Sequence, residues 1–264
     1  MKRASEAFRL DGKNAIVVGA ASGIGRAAAL ALADSGATVA CADRDIAGAR
    51  SAVDEIGAAG GKAFAVAIDI TSPSSISSAL GEVQVGMGKI DVLVVTPAVN
   101  VRKRLLTYTD DELDRVVDLN LKATFRVTQA VTRLMSESGG GSVILTSSIR
   151  SVVVEPGQGI YAATKASLVQ LARGFAVELA AQHVRVNVLA PGVVETPLTA
   201  QIKNNPDWYS AYSQRNAMKR WAQPEEMAWP IVFLASDASS YVTGTVLFVD
   251  GGWTGIDGRF EPPL

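Results

Sequence analysis

The chain has 264 residues, of which 48% are hydrophobic and 19% charged, and its 25 basic and 26 acidic side chains leave a formal charge of −1. This balance lacks the broad positive field of a nucleic-acid binder, and the apolar content without low-complexity tracts excludes a disordered chain. One cysteine (Cys41) and one histidine (His183) exclude an internal disulfide and a zinc cluster, so no metal is expected; the apolar runs fall short of a bilayer span and MKRASEAFRLDGK is no signal peptide, so a soluble cytoplasmic protein is.

In chain order, short runs rich in β-branched residues predict strands at 14–18, 38–42, 63–68, 92–95, 143–146, 184–189 and 245–249. Between them, apolar residues recur at helical spacing over 24–35, 45–59 and 162–181, with a further apolar helix near 227–235. Strands that are apolar throughout, alternating with helices, predict an α/β fold: a doubly wound parallel sheet of about seven strands with helices on both faces. No linker divides the chain, so one domain is expected, with residues 1–9 as an N-terminal extension and 253–264 as a tail. The alternation loosens over 192–224, where Trp208, Tyr209 and Tyr212 occur; such an insertion forms either a substrate lid or a helical pair on the domain edge.

The first strand runs into VGAASGIGRAA, which puts Gly19, Gly23 and Gly25 at the strand-to-helix turn. Glycines there let a pyrophosphate approach the backbone and sit at the helix N-terminus, where free N–H groups and the dipole favour an anion. Asp43 ends the second strand, eighteen residues after Gly25, where a carboxylate accepts from ribose hydroxyls and repels a 2′-phosphate. The expected cofactor is therefore NAD rather than NADP, although Arg44 offers a guanidinium to a phosphate. In IDITS, Asp69 either reaches the adenine, caps the helix beginning near Pro73, or does both.

After the fifth strand, TSSIRSVVVEPGQGIYAATKAS places Tyr161 and Lys165 four apart, on one face if a helix starts near Tyr161. An ammonium beside a phenol lowers the phenol's pKa from about 10 towards neutrality. Ser148, thirteen residues before Tyr161, can hydrogen-bond a substrate oxygen, so the three form a proton-transfer group.

With these residues in order, the chain resembles the short-chain dehydrogenase/reductase family from about residue 10 to 253. The resemblance implies a Rossmann-type domain, a usual homotetramer with VTGTVLFVDGGW as an assembly strand, and a catalytic tetrad of Asn120 (from DLNLKATF), Ser148, Tyr161 and Lys165. In it the tyrosine is the general acid/base, the serine orients substrate, the lysine also holds the nicotinamide ribose, and the asparagine supports a water relay. It further implies that Gly19, Ser22, Gly23, Ile24 and Gly25 bind the pyrophosphate, that Asp43 and Arg44 meet the ribose, and that Asp69 and Ile70 lie towards the adenine. In APGVVETPL, Pro191, Gly192, Val194 and Thr196 take the nicotinamide side. Two positions depart from the family pattern. Val18 replaces a threonine, and Thr96, Pro97 and Ala98 replace Asn, Ala and Gly, so Thr96 and Ala98 are expected to make a modified cofactor contact.

A serine hydrolase is excluded, because His183 just after a helix is a surface residue and no G-x-S-x-G elbow exists. A non-catalytic dinucleotide sensor shares the fold but needs no Ser148, Tyr161 and Lys165. The expected activity is NAD-dependent interconversion of a secondary alcohol and a ketone, leaning towards oxidation. Candidate substrate residues are Asn100, Arg102, Arg150, Gln158 and Trp208, with Glu155 as a counterweight, while Lys103 and Arg104 stay solvated. The positive charge suits a small polyhydroxylated or acidic substrate such as a sugar acid; the alternative is reduction of a 3-oxoacyl thioester.

Overall fold

Seven parallel strands lie side by side in the order β3-β2-β1-β4-β5-β6-β7 in a computed structural model that describes residues 3–256. Parts of the N-terminal extension (1–2) and of the tail (257–264) lie outside the described residues. The chain runs through a short α1 (Ala4–Ala7), β1 (Asn14–Val18), α2 (Gly23–Asp34), β2 (Thr38–Asp43), α3 (Ile46–Ala58) and β3 (Lys62–Ala67). It continues through α4 (Pro73–Met87), β4 (Val92–Val95) and α5 (Asp110–Val117), then passes through a π-helical stretch (Asp118–Ala123) into α6 (Thr124–Glu137), β5 (Gly141–Thr146), α7 (Gly159–Leu179) and β6 (Val184–Pro191). Two short helices, α8 (Ala200–Lys203) and α9 (Pro206–Arg215), precede α10 (Glu225–Ala235) and β7 (Val246–Val249).

The strands are apolar throughout because both faces are covered. On one face, Ile16, Leu93, Val143 and Val186 meet Leu80 of α4, Val131 of α6 and Ala172 of α7. On the other, Val17, Val39 and Ile144 meet Leu32 of α2, Ile56 of α3 and Ile231 of α10. From β1 the chain winds outwards to β3, then returns to β4 on the other side of β1. That reversal opens a crevice beyond the carboxyl ends of β1 and β4, where ligands bind in such sheets.

One local assignment differs from the sequence reading. Ser72, not Asp69, caps α4, since its side chain accepts from Ser75 N–H and Pro73 fills the first helical position. Asp69 instead accepts from the N–H and hydroxyl of Thr71 in its own turn, 2.9 and 2.7 Å away. The 192–224 segment packs as a unit: Tyr209 stacks on Trp221 (4.8 Å), and Tyr212 lies between Trp221 and Trp253. With Ile149, Val193 and Ile202 these rings form a separate apolar cluster beside the sheet.

The π-helical stretch turns Asn120 inwards, fully buried. Its Oδ1 accepts from Val99 N–H (2.8 Å), and its Nδ2 donates to Val99 O (2.9 Å) and to Thr164 Oγ1 (3.2 Å). Asn120→Ala would remove three hydrogen bonds, two to the half-buried main chain of Val99 and one to Thr164, at about 0.5–1.5 kcal/mol each. We therefore expect this variant to lose roughly 2–4 kcal/mol in urea unfolding monitored by circular dichroism; a loss below about 1 kcal/mol would contradict the clamp.

Candidate active site

A cleft of about 670 Å³ lies at the switch point, lined by the β1–α2 turn, the ends of β2, β3 and β4, and Thr196. Gly19 (φ +92°) and Gly23 (φ +54°) adopt left-handed backbone that strains other residues. A Cβ on Gly25 would fall 2.0 Å from Gly19 O, so only glycine lets the turn close on itself. The leading N–H groups of α2 have no partner within the helix, and the Ser22 hydroxyl makes no cap bond, which leaves donors facing an anion. This floor, a glycine-lined turn beneath a helix N-terminus, fits the pyrophosphate of a dinucleotide. Thr96, at the departure from the family pattern, donates to Val18 O (3.0 Å) and so packs on the turn, while Pro97 and Ala98 line the cleft wall.

At the other end of the cleft, Asp43 braces the glycine-rich turn: its Oδ2 accepts from Ala21 N–H and its Oδ1 from Asp45 N–H, both at 2.9 Å. Arg44, Asp69 and Ile70 line the same end. The Thr71 hydrogen bonds hold the Asp69 carboxyl below its ordinary range, so it is anionic at neutral pH. Pro191, Gly192 and Val194 lie behind the wall. Pro191 ends β6 in the sheet, Gly192 N–H donates to Val249 O (2.9 Å), and buried Val194 bridges to Ala222.

Tyr161 and Lys165 occupy successive turns of α7, both buried. Lys165 Nζ donates to Thr146 O (2.8 Å) and sits 5.6 Å from the Tyr161 ring centroid. Ser148, just after β5, lies beside the Tyr161 phenol and lowers its pKa, and its hydroxyl accepts from Arg150 N–H (3.1 Å). Thr164, bonded to Asn120, donates to the Tyr161 carbonyl (2.8 Å), which ties all four tetrad residues into one frame. The expectation that Lys165 lowers the phenol is corrected here. Burial dominates, raising Tyr161 to about 12 and lowering Lys165 to about 7; the opposing influences on the phenol are the Ser148 hydroxyl and the charges of Arg102 and Arg150.

The candidate substrate residues meet at Glu155. Arg102 Nη1 (3.0 Å) and Arg150 Nη2 (2.7 Å) pair with its carboxylate, and the Gln158 amide and the Tyr212 hydroxyl also donate to it. Asn100 Nδ2 donates to Gln158 Oε1 (2.9 Å). Arg102 lies over the Trp208 ring (5.2 Å) and Arg150 over Trp253 (5.5 Å). Lys103 is not simply solvated: it pairs with Glu112 of α5 at 2.9 Å, because the loop folds back over that helix, whereas Arg104 is exposed. Tyr212, Trp253 and Thr164 enter the site without a local signal in the sequence; Tyr212 was visible only as one aromatic residue of an insertion.

Residues 19–254 match the family model described as enoyl-(acyl carrier protein) reductase. The chain is 38% identical over 245 residues to a 3-oxoacyl-[acyl-carrier-protein] reductase of Thermotoga maritima, covering 93% of this chain and 99% of that protein. It is 35% identical over 248 residues to a 5-keto-D-gluconate 5-reductase of Escherichia coli K12, covering 94% and 98%. A solved structure of a gluconate 5-dehydrogenase from Burkholderia cenocepacia, in complex with NADP and tartrate, superposes with a TM-score of 0.92 at 33% identity, covering 96% of this chain and all of that one. With the seven-stranded parallel sheet and these matches, the chain belongs to the short-chain dehydrogenase/reductase family, oxidoreductases that act on CH–OH and ketone groups and use a dinucleotide cofactor.

Proposed function

We propose that the protein interconverts a secondary alcohol and a ketone on a small polyhydroxylated acid, with Tyr161 as general acid/base. The observation that carries this reading is the pair of guanidiniums, Arg102 and Arg150, whose charges act on the Tyr161 phenol. With Glu155 between them they leave one net positive charge beside the reacting group, suited to a monoanionic substrate. The buried Asn100 Oδ1 has no partner and supplies an acceptor for a substrate hydroxyl. The names of the Escherichia coli and Burkholderia cenocepacia relatives support the sugar-acid class. Identity to the Thermotoga maritima protein favours the 3-oxoacyl thioester instead. Against it, an acyl chain gains about 0.8 kcal/mol per buried CH₂ only against apolar walls, and Arg102, Arg150, Glu155 and Gln158 are charged or polar. A homotetramer in the cytoplasm completes the proposal; the half-exposed apolar edge strand β7 and the exposed Tyr241 offer surface for such an assembly.

When bound, the nicotinamide accepts or supplies the hydride. Tyr161 takes the alcohol proton in oxidation and returns it in reduction, while the Ser148 hydroxyl holds the same substrate oxygen. Asn120, whose amide is engaged with Val99 and Thr164, acts as a positioning residue. Lys165 retains donors beyond the bond to Thr146 for a ribose hydroxyl. The phosphate end of the dinucleotide would rest on Gly19, Ser22, Gly23, Ile24 and Gly25, and Asp43 would meet the adenosine ribose.

Three measurements test this reading. Tyr161→Phe should lower kcat roughly a thousandfold while dinucleotide binding persists, and wild-type oxidation should speed up as pH rises towards the raised phenol pKa, because only phenolate takes the proton. A pH-independent oxidation rate would remove Tyr161 as the base; binding without turnover on any alcohol or ketone would favour the sensor. Arg150→Ala should reduce kcat/KM for acids such as gluconate about 10–100-fold more than for neutral hydroxyketones, the equivalent of one charged hydrogen bond, and equal losses would end the acid reading. NADP in the Burkholderia cenocepacia complex speaks for that cofactor in that enzyme. In this chain Asp43 repels a 2′-phosphate by about 1–3 kcal/mol, so NAD should be preferred at least about fivefold in kcat/KM, with Asp43→Asn erasing the preference; a wild type that favours NADP would reject it.

A further inference from the structure

We propose that Glu155 is a specificity-determining residue: a resident carboxylate that occupies the guanidinium pair until the substrate's own carboxylate takes its place. The inference rests on the acid-substrate reading above and adds a role for a residue outside the tetrad. Glu155 has the partners of a bound acid. Arg102 reaches it from the segment after β4, Arg150 from the segment after β5, Gln158 from the residue before α7, and Tyr212 from α9.

Exposure separates the permanent from the displaceable members. Arg150 is only 5% exposed and Gln158 2%, with Arg150 also packed over Tyr212 and Trp253, so the donors have nowhere to go. Glu155 lies on the loop between β5 and α7, its side chain one-quarter exposed, beside the exposed Val154. The loop backbone is fixed independently, by Lys103 N–H donating to Gly157 O (3.0 Å) and by Gly157 in a left-handed conformation (φ +86°). The carboxylate can therefore swing into water while its backbone and the buried donors Arg150, Gln158 and Tyr212 stay in place; Arg102, 19% exposed, is the one mobile partner.

Two consequences follow from one competition. Without an acid bound, Glu155 satisfies buried guanidiniums that would otherwise carry unpaired charge, and it ties α9 to the site through Tyr212. A neutral ketone cannot displace it and meets a filled pocket, whereas an acid exchanges one carboxylate for another with little net change in pairing. Glu155 thus sharpens discrimination against neutral substrates while weakening apparent affinity for acids.

The test is calorimetry with tartrate and with gluconate on the dinucleotide-loaded protein, alongside KM for gluconate. Glu155→Gln keeps the shape but weakens the competitor, and should tighten the Kd for both acids, and lower KM, about fivefold. Glu155→Asp, which keeps the charge, should stay within about twofold of wild type. Unchanged or weaker acid binding in Glu155→Gln, an equal shift in Glu155→Asp, or no acid binding to any form overturns the inference. If Arg150→Ala shows no acid-specific loss, the underlying functional reading fails; if it shows that loss but Glu155→Gln does not tighten binding, only the competitor role fails.

Discussion

One buried amide holds the catalytic geometry together. Asn120 closes both main-chain groups of Val99, which lines the cleft, and passes a third hydrogen bond to Thr164, which in turn donates to the carbonyl of Tyr161. A single side chain thus ties the loop after β4 to the first turns of α7, beside the Asn100–Gln158 hydrogen bond just ahead of that helix. Such a clamp requires an amide, with an acceptor and two donors on one planar group, and requires it to point inwards. The π-helical stretch between α5 and α6 supplies that orientation. Widened turns of this kind recur at functional sites because they redirect one side chain without ending the helix.

Within this frame, burial and charge oppose each other. Removal from water favours a neutral phenol and a neutral amine, and it dominates at Tyr161 and Lys165. The opposing cations are Arg102 and Arg150 around Glu155, whose charges favour the phenolate. On the proposed function, the side chains that would receive an anionic substrate would also tune the proton donor, which would couple recognition to chemistry. Glu155 moderates both by neutralising part of that field.

The relatives share this scaffold while their names divide between sugar-acid and acyl-thioester chemistry. The fold alone cannot separate those activities, because the sheet, the glycine-rich turn and the tyrosine–lysine pair serve either. The segments after β4 and β5 and α9 here build a wall around Glu155. In this chain that wall is charged and aromatic: two arginines lie over indole and phenol rings, and a carboxylate joins them.

Features encoded by neighbours in the chain were legible from the residues alone. The β-branched runs marked all seven strands because strands buried on both faces must be apolar, although β6 runs on to Pro191 and β2 includes Asp43. Gly19 and Gly25 announced the turn, since no other residue tolerates that backbone approach, and the four-residue spacing of Tyr161 and Lys165 placed both on one face of α7. Partnerships between distant segments were decided only by the tertiary structure. Arg102 and Glu155 lie 53 positions apart, and in sequence Glu155 reads only as a general counterweight to the arginines; Tyr212 and Glu155 lie 57 apart, with nothing local to indicate that they meet. In sequence Asp69 reads as a possible cap for α4, and the folded backbone gives that place to Ser72. The phenol's pKa was misjudged from spacing for the same reason: sequence distance to a lysine says nothing about water, and burial outweighed the expected effect of that ammonium. Secondary structure follows from periodicity along the chain, whereas charge pairing and desolvation depend on which segments the packed sheet brings together.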